Sequence, residues 1–185
     1  MYLDKWKEKY GNIYTFVADI KDITDESITI HSQTYTGTAL TPVVKDGDKT
    51  LVEGEDYALT LPQGGCTNAG EYTVTLQGKK LYYKKSEKTF TILPAPVTVT
   101  AEAKSKTFGE SDPTFTATVS GLVNNESADL IKYTFTRTEG ENVGDYTITP
   151  SGEATQGNYK VSYVTGTLTI ESKALTAEEI SVSEI

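Results

Sequence analysis

Val97-Thr98-Val99-Thr100-Ala101-Glu102-Ala103 is the stretch whose reading decides the fold. Every second residue is apolar and the residues between are polar, the period of two that belongs to a strand and not to a helix. A strand here puts Val97, Val99, Ala101 and Ala103 on one face and the threonines with Glu102 on the other. Outward from it the alternation recurs in Tyr72-Thr73-Val74-Thr75-Leu76, Phe115-Thr116-Ala117-Thr118-Val119, Tyr146-Thr147-Ile148-Thr149 and Gly166-Thr167-Leu168-Thr169-Ile170. One face in and one face out is the mark of antiparallel sheets that pack a core on a single side. Thr, Val, Ile, Tyr and Phe, which suit a pleated and half-buried surface, supply 71 of the 185 residues. Turn signals separate the runs at Asp46-Gly47-Asp48, Gln63-Gly64-Gly65, Gly109 to Pro113, Ser151-Gly152 and Gln156-Gly157-Asn158. The chain is therefore expected to be all-β.

Two short segments read as helical. Leu3, Trp6 and Tyr10 share a stripe at spacings of three and four, with lysines and Glu8 opposite. Asn124 and Asn125 read as N-caps for one or two turns running to Ile131.

Composition removes several function classes. The chain carries 26 acidic against 17 basic residues, a formal charge of −9, which argues against a nucleic-acid partner because phosphate binding needs a basic surface. No apolar run approaches the ~18–20 residues that cross a bilayer, so no membrane insertion is expected in this segment. One cysteine and one histidine exclude a disulfide framework and a His/Cys metal cage.

The chain also repeats itself. Asn68-Ala69-Gly70-Glu71-Tyr72-Thr73-Val74 matches Asn142-Val143-Gly144-Asp145-Tyr146-Thr147-Ile148 at an offset of 74. Lys88-Thr89-Phe90-Thr91-Ile92 matches Gly166-Thr167-Leu168-Thr169-Ile170 at an offset of 78. After each copy a connector leads to a fresh strand, at Pro94-Ala95-Pro96-Val97 and at Lys173-Ala174-Leu175-Thr176. These marks divide the chain into the tail of a preceding domain (1–22), a first β module (23–94), a second (95–172) and the start of a following one (173–185). Pro94 and Pro96 favour an extended connection that holds neighbouring modules apart. Gly70 and Gly144, each two residues before a strand tyrosine, and Gly109 in a turn are expected to hold a positive φ or to allow close backbone approach.

Catalytic constellations are scarce. His31 is the only imidazole and reads as a half-exposed strand residue, so no Ser-His-Asp arrangement is expected. Glu53, Glu55 and Asp56 could serve a glycosidase as paired carboxylates, but they sit in a turn pattern where solvated acids belong. Asp46-Gly47-Asp48 with Asp56, or Glu110 with Asp112, offers hard oxygens to calcium without the EF-hand order, and polar turns are the favoured reading. Cys66 lies in a glycine-rich loop with no adjacent positive group and reads as an incidental thiol. An intramolecular Lys–Asn amide bond needs a buried lysine, and nearly all lysines lie in polar runs. No catalytic residue, metal ligand or cofactor is assigned.

The one local feature with binding character is Lys79-Lys80-Leu81-Tyr82-Tyr83-Lys84-Lys85, basic and aromatic within an acidic chain. Tyr82, Tyr83 and Lys84 form the candidate ligand site, an aromatic ring stacking on a sugar of an anionic glycan. The favoured alternative is an exposed edge strand guarded by lysines, with one of the two tyrosines turned into the core.

Several of these residues carry a resemblance. Phe108-Gly109-Glu110, Asp112-Pro113, Val119-Ser120-Gly121-Leu122-Val123-Asn124, Glu141-Asn142-Val143-Gly144-Asp145-Tyr146, Gly157-Asn158-Tyr159 and Gly166-Thr167-Leu168-Thr169-Ile170 occur in the order of the MBG domain, YGX type, a bacterial surface-protein repeat that residues 97–170 resemble. Residues 27–92 are similar to related bacterial Ig-like repeats through Tyr35-Thr36-Gly37-Thr38-Ala39-Leu40-Thr41-Pro42, Leu51 to Tyr57 and Asn68 to Tyr72, although Gln63 to Cys66 and Leu81 to Tyr83 depart from the usual spacing. Residues 1–20 resemble the end of a surface leucine-rich-repeat array. The resemblance implies tandem Ig-like β-sandwich modules with a short N-terminal helix, the alternative being a β-grasp-like module for 95–172 marked by a regular helix packed on one sheet. It also implies an extracellular, cell-surface bacterial protein in which these modules are non-catalytic stalk or adhesion repeats, monomeric within a longer chain. Their partner would be a host or environmental glycan or protein. An accessory carbohydrate-binding module of an extracellular glycosidase is the second functional expectation.

Overall fold

A computed structural model of the protein describes residues 20–174. The N-terminal helix and array-like segment expected at 1–20, and most of the following module expected at 173–185, lie outside the described residues. The described chain is all-β and divides into two compact units at Pro94/Ala95.

The first unit contains β1 (Lys21–Asp22), β2 (Ile28–Ile30), β3 (Gln33–Thr34), β4 (Val44–Asp46), β5 (Lys49–Thr50), β6 (Tyr57–Thr60), β7 (Gly70–Gly78), β8 (Tyr82–Tyr83) and β9 (Lys85–Leu93). Its largest sheet has the order β3-β9-β7-β6; β2-β4-β5 and the parallel pair β1-β8 complete it. The core gathers Ile23, Ile28, Val44, Leu51, Tyr57, Leu76 and Tyr82 from both sides.

The second unit contains β10 (Ala95–Ala101), β11 (Lys104–Thr107), β12 (Ala117–Ser120), β13 (Thr134–Arg137), β14 (Gly144–Ser151), β15 (Thr155–Gln156), β16 (Tyr159–Val164) and β17 (Gly166–Glu171). They form two four-stranded sheets, β12-β10-β16-β15 and β11-β17-β14-β13. The deciding stretch behaves as its alternation requires: Ala95, Val97, Val99 and Ala101 are buried, while the residues between them are partly or fully exposed. Ala101 from one sheet meets Ile148 and Leu168 from the other, with Phe115, Phe135 and Tyr146 packed around them. This is a two-sheet sandwich.

The pairing is mixed, unlike the antiparallel pattern expected. β10 runs parallel to β16 and β11 parallel to β17. The cause is that two long strands each cross from one sheet to the other. β10 continues as β11 after Glu102-Ala103, and β16 continues as β17 after Thr165, so the two bent strands stay neighbours in both sheets. Alternation reports which face is buried and is blind to the direction of the neighbour. In the first unit β2 also passes to β3 and β8 to β9, and there only the second halves, β3 and β9, pair in parallel. The one-residue corner there is Lys84, at a φ of 68°.

The segment 124–131 differs from the helix expected of it. Asn124 and Asn125 have φ of 52° and 56°, and the Glu126 N–H donates to the Val123 carbonyl, closing a turn of left-handed residues. Asn takes this region more readily than most residues because its short polar side chain bonds locally. Only Ala128–Leu130 is helical, a single 3-10 turn capped by Ser127 and burying no residue. The packed helix that would mark a β-grasp module is thus not formed there, and the sandwich reading stands.

Gly70, Gly144 and Gly109 take φ of 148°, 149° and 89°, as expected. The first two serve one motif. In each copy of Asn-x-Gly-x-Tyr the tyrosine hydroxyl donates to the carbonyl of the asparagine four residues earlier, Tyr72 to Asn68 and Tyr146 to Asn142, both at 2.8 Å. The glycine lets the chain turn under the ring so that the bond closes.

Candidate functional site

Strand alternation separates the two tyrosines of the basic and aromatic run. Tyr82 is 6% exposed and belongs to the core of the first unit, whereas Tyr83 is 44% exposed. The Tyr82 hydroxyl donates to Asp46 Oδ2 at 3.1 Å, and the Lys49 ammonium stands 5.3 Å from its ring centre. Asp46 in turn accepts from Ser27 and pairs with Lys21. Tyr82 is therefore not available to a ligand, and the candidate site on this strand reduces to Tyr83 and Lys84.

Lys84 serves two ends. Its backbone forms the left-handed corner, and its ammonium lies 2.5 Å from Asp22 and 5.5 Å from the centre of the Tyr83 ring. The Lys84 ammonium and the Thr24 amide and hydroxyl lower the Asp22 carboxyl to about 2. β8 pairs with the two-residue β1. The patch is a short, lysine-bearing strand with one outward ring.

A second cluster, which the sequence reading passed over, lies in the second unit. Lys106 on β11 has a side chain only 3% exposed, and its ammonium sits 2.7 Å from Asp112 and 2.5 Å from Glu141. Arg137 on β13 reaches Asp112 through Nε at 2.5 Å and pairs with Glu141 as well. Its guanidinium also donates to the carbonyls of Thr138 and Gly140 and lies 5.5 Å from the centre of the Tyr146 ring. Two cations and two carboxylates thus tie the 108–113 turn to the 138–142 loop.

Every member of this clamp is shifted toward its charged form. Arg137 and then Lys106 hold the Asp112 carboxyl below the usual range, Lys106 and then Arg137 do the same for Glu141, and the carboxylates raise Lys106. A buried lysine between two carboxyls resembles the setting of an intramolecular amide bond, and Lys106 is buried although it lies in the polar run Lys104-Ser105-Lys106-Thr107. Amide formation needs a neutral amine facing a protonated acid, and this clamp stabilises the opposite ionisation. It is built to hold loops.

The remaining candidates are placed as follows. His31 is exposed in the connector between β2 and β3. Cys66 is buried, which raises its thiol. Asp56 accepts from the Val52 N–H at 2.9 Å, and Glu110 from the Thr107 N–H at 2.9 Å, so these acids close their own turns. Among the described residues no group of three or more His, Cys, Asp or Glu is arranged to hold a metal ion.

The Lys106 clamp, the Phe108-Gly109 turn and the Asn142-x-Gly144-x-Tyr146 hydrogen bond together give the second unit its character. Residues 97–169 match the MBG domain, YGX type. The clamp lies inside the matched residues, with Lys106 and Asp112 flanking the Phe108-Gly109 turn. No curated protein matches the chain significantly. Among solved structures it is similar to the crystal structure of Dscam1 isoform 4.44, N-terminal four Ig domains, at 10% identity and a TM-score of 0.27, over 80% of this chain and 47% of that one. The chain thus spans about half the length of that structure.

Proposed function

We propose that the chain is a non-catalytic repeat segment of an extracellular, cell-attached bacterial surface protein, where it spaces or supports binding domains. The observation that carries this reading is repetition of one build. The order β3-β9-β7-β6 in the first unit and β11-β17-β14-β13 in the second place equivalent strands in equivalent positions, and a single residue, Pro94, separates the last strand of one unit from the first of the next. The match to the MBG domain supports the assignment to surface repeats. The charged side chains that are drawn together, Lys106, Arg137, Asp112, Glu141 and Asp46, engage one another or the fold, as structural groups do.

The test is a display experiment. A binding reporter is held on a bacterial surface through residues 20–174, and its capture of ligand-coated beads is measured. Removing the segment is expected to reduce capture, and an unrelated pair of β domains of similar length is expected to restore it. Failure of the unrelated pair to restore capture overturns the spacer reading.

The reading as an accessory carbohydrate-binding module calls for exposed coplanar aromatics on one sheet face or loop. With Tyr82 in the core, a single outward ring remains on that strand.

A further inference from the structure

The second unit carries a groove of about 470 Å³ lined by Lys132, Tyr133, Thr134, Ser151, Glu153 and Thr155, with Gly152 and Gln156 at its base. It lies where the rims of the two sheets meet, β13 and the end of β14 on one side and β15 on the other. We propose that this groove is a subsite for a neutral saccharide.

The base is rigid. Gln156 Nε2 donates to the carbonyl of Lys132 at 2.8 Å and to that of Glu153 at 3.1 Å, and it lies 3.1 Å from the Tyr163 hydroxyl. Its Oε1 accepts from the Lys132 N–H at 2.7 Å, and the Tyr163 hydroxyl donates to the Glu153 carbonyl at 3.1 Å. Gly152 is required by close approach, since a Cβ there would stand 2.4 Å from the Tyr163 hydroxyl and 2.6 Å from the Lys132 carbonyl. One side-chain amide thus locks the two loops that form the walls, so a ligand meets a groove already ordered.

The lining selects the ligand class. Tyr133 offers a half-buried ring held edge-on by Phe135, with centres 5.6 Å apart at 82°, and a fixed aromatic face suits the C–H face of a sugar ring. Thr134 and Ser151, whose hydroxyls meet at a long 3.4 Å, and Thr155 supply hydroxyls that donate or accept, which matches the hydroxyls of a saccharide. Lys132 and Glu153 carry opposite charges, so the groove favours neither an anion nor a cation. The backbone N–H and carbonyl of Lys132 are both taken by Gln156, which denies an extended peptide a strand edge at this rim. An open groove with few anchors gives weak binding, a dissociation constant of about 1 mM for a single site.

The test uses the full chain labelled with ¹⁵N and titrated with cellohexaose, xylohexaose and hexa-N-acetylchitohexaose, with hexagalacturonate as the anionic comparison. At least one neutral hexasaccharide is expected to shift the amide resonances of 132–134 and 151–156. Thr155→Trp, which fills the groove from an exposed position, is expected to weaken that binding by about tenfold or more, a change of about 1.4 kcal/mol. Tyr83→Ala is expected to leave it unchanged. The proposal is overturned if no neutral hexasaccharide shifts these amides at about 20 mM, well above the expected constant. It is also overturned if binding survives Thr155→Trp or vanishes in Tyr83→Ala, or if hexagalacturonate binds more tightly than the neutral sugars. The display experiment reads spacing alone, so the spacer reading and the subsite stand or fall separately.

Discussion

Position 33 of the first unit and position 106 of the second are the same place in the fold. Each lies on the short strand that pairs in parallel with the last strand of its unit, opposite Ile92 in one case and Ile170 in the other. Each holds the residue that precedes a proline. Gln33 donates to the carbonyl of Thr41, before Pro42, at 2.8 Å, while the Lys106 ammonium meets the carboxylate of Asp112, before Pro113, at 2.7 Å. One unit fastens its loop with a neutral hydrogen bond and the other with a buried charge that recruits Glu141 and Arg137. The geometry of the repeat is preserved while the chemistry at the joint changes. A loop can therefore be held in register by any donor of the right reach, and the charged form adds dependence on partners.

The largest expected effect breaks this comparison at its centre. Lys106→Ala leaves two carboxylates and one cation in a partly buried cluster, and removing one partner of such a pair is costly. The thermal transition of the second unit is expected to fall by about 5–10 °C, measured by calorimetry. Gln33→Ala removes one exposed hydrogen bond and is expected to cost about 0.5–1 kcal/mol in the first unit. Equal losses in the two variants would show that the charges add nothing to the joint.

Acid separates the same two joints without mutation. Asp112 and Glu141 have depressed folded-state values, so the stability they contribute is complete above their unfolded values of 3.8 and 4.5 and is lost as pH falls through the folded ones. Hydrogen exchange of amides 107–112, corrected for intrinsic rates, is expected to quicken below about pH 4. Amides 34–41, fastened by Gln33, carry no such dependence. Asp22, at about 2, gives the first unit its own acid loss, expected at the Lys84 corner and not at the Gln33 loop.

A third variant sharpens the comparison of the two strand corners. Lys84 sits at positive φ, where a β-branched residue is disfavoured, so Lys84→Val is expected to lower the transition of the first unit by about 5 °C. Lys84→Gly is expected to stay within about 2 °C of the parent, because relief of the corner offsets the lost ion pair with Asp22. A fourth pair of variants concerns the shared motif. Tyr146→Phe removes one hydroxyl bond of 2.8 Å, and Tyr72→Phe removes a matching one together with a bond of 3.0 Å accepted from the Asn68 N–H; each variant is expected to cost about 1 kcal/mol by chemical denaturation. A large inequality between them would mean that the repeat is conserved in geometry and not in energy.

The local parts of this architecture were legible before any coordinates. The Asn-x-Gly-x-Tyr turn spans five residues and closes on itself, so its glycine, tyrosine and spacing announce it. The alternation of 97–101 told which side chains enter the core, and it told that Tyr82 and Tyr83 must part company. Which of the two turns inward depends on the register of β8 against β1, a pairing between residues about sixty positions apart. Asn124-Asn125 reads as a cap in the sequence and is a left-handed turn in the fold, because the same side-chain chemistry favours both. The Lys106 clamp left a faint trace in Lys106 and Asp112 flanking the Phe108-Gly109 turn, but Arg137, at the end of β13, and Glu141, in the loop that follows, lie about thirty residues further on.

Strand identity, the two-fold repetition and the glycine-dependent turns follow from the order of residues alone, because they rest on the period of side-chain direction and on hydrogen bonds a few residues long. The parallel neighbours, the buried tyrosine, the ion-pair clamp and the Gln156-floored groove were settled only when the chain folded. Each requires groups distant along the chain to meet, and a linear pattern carries the chemistry of such groups but not their distance.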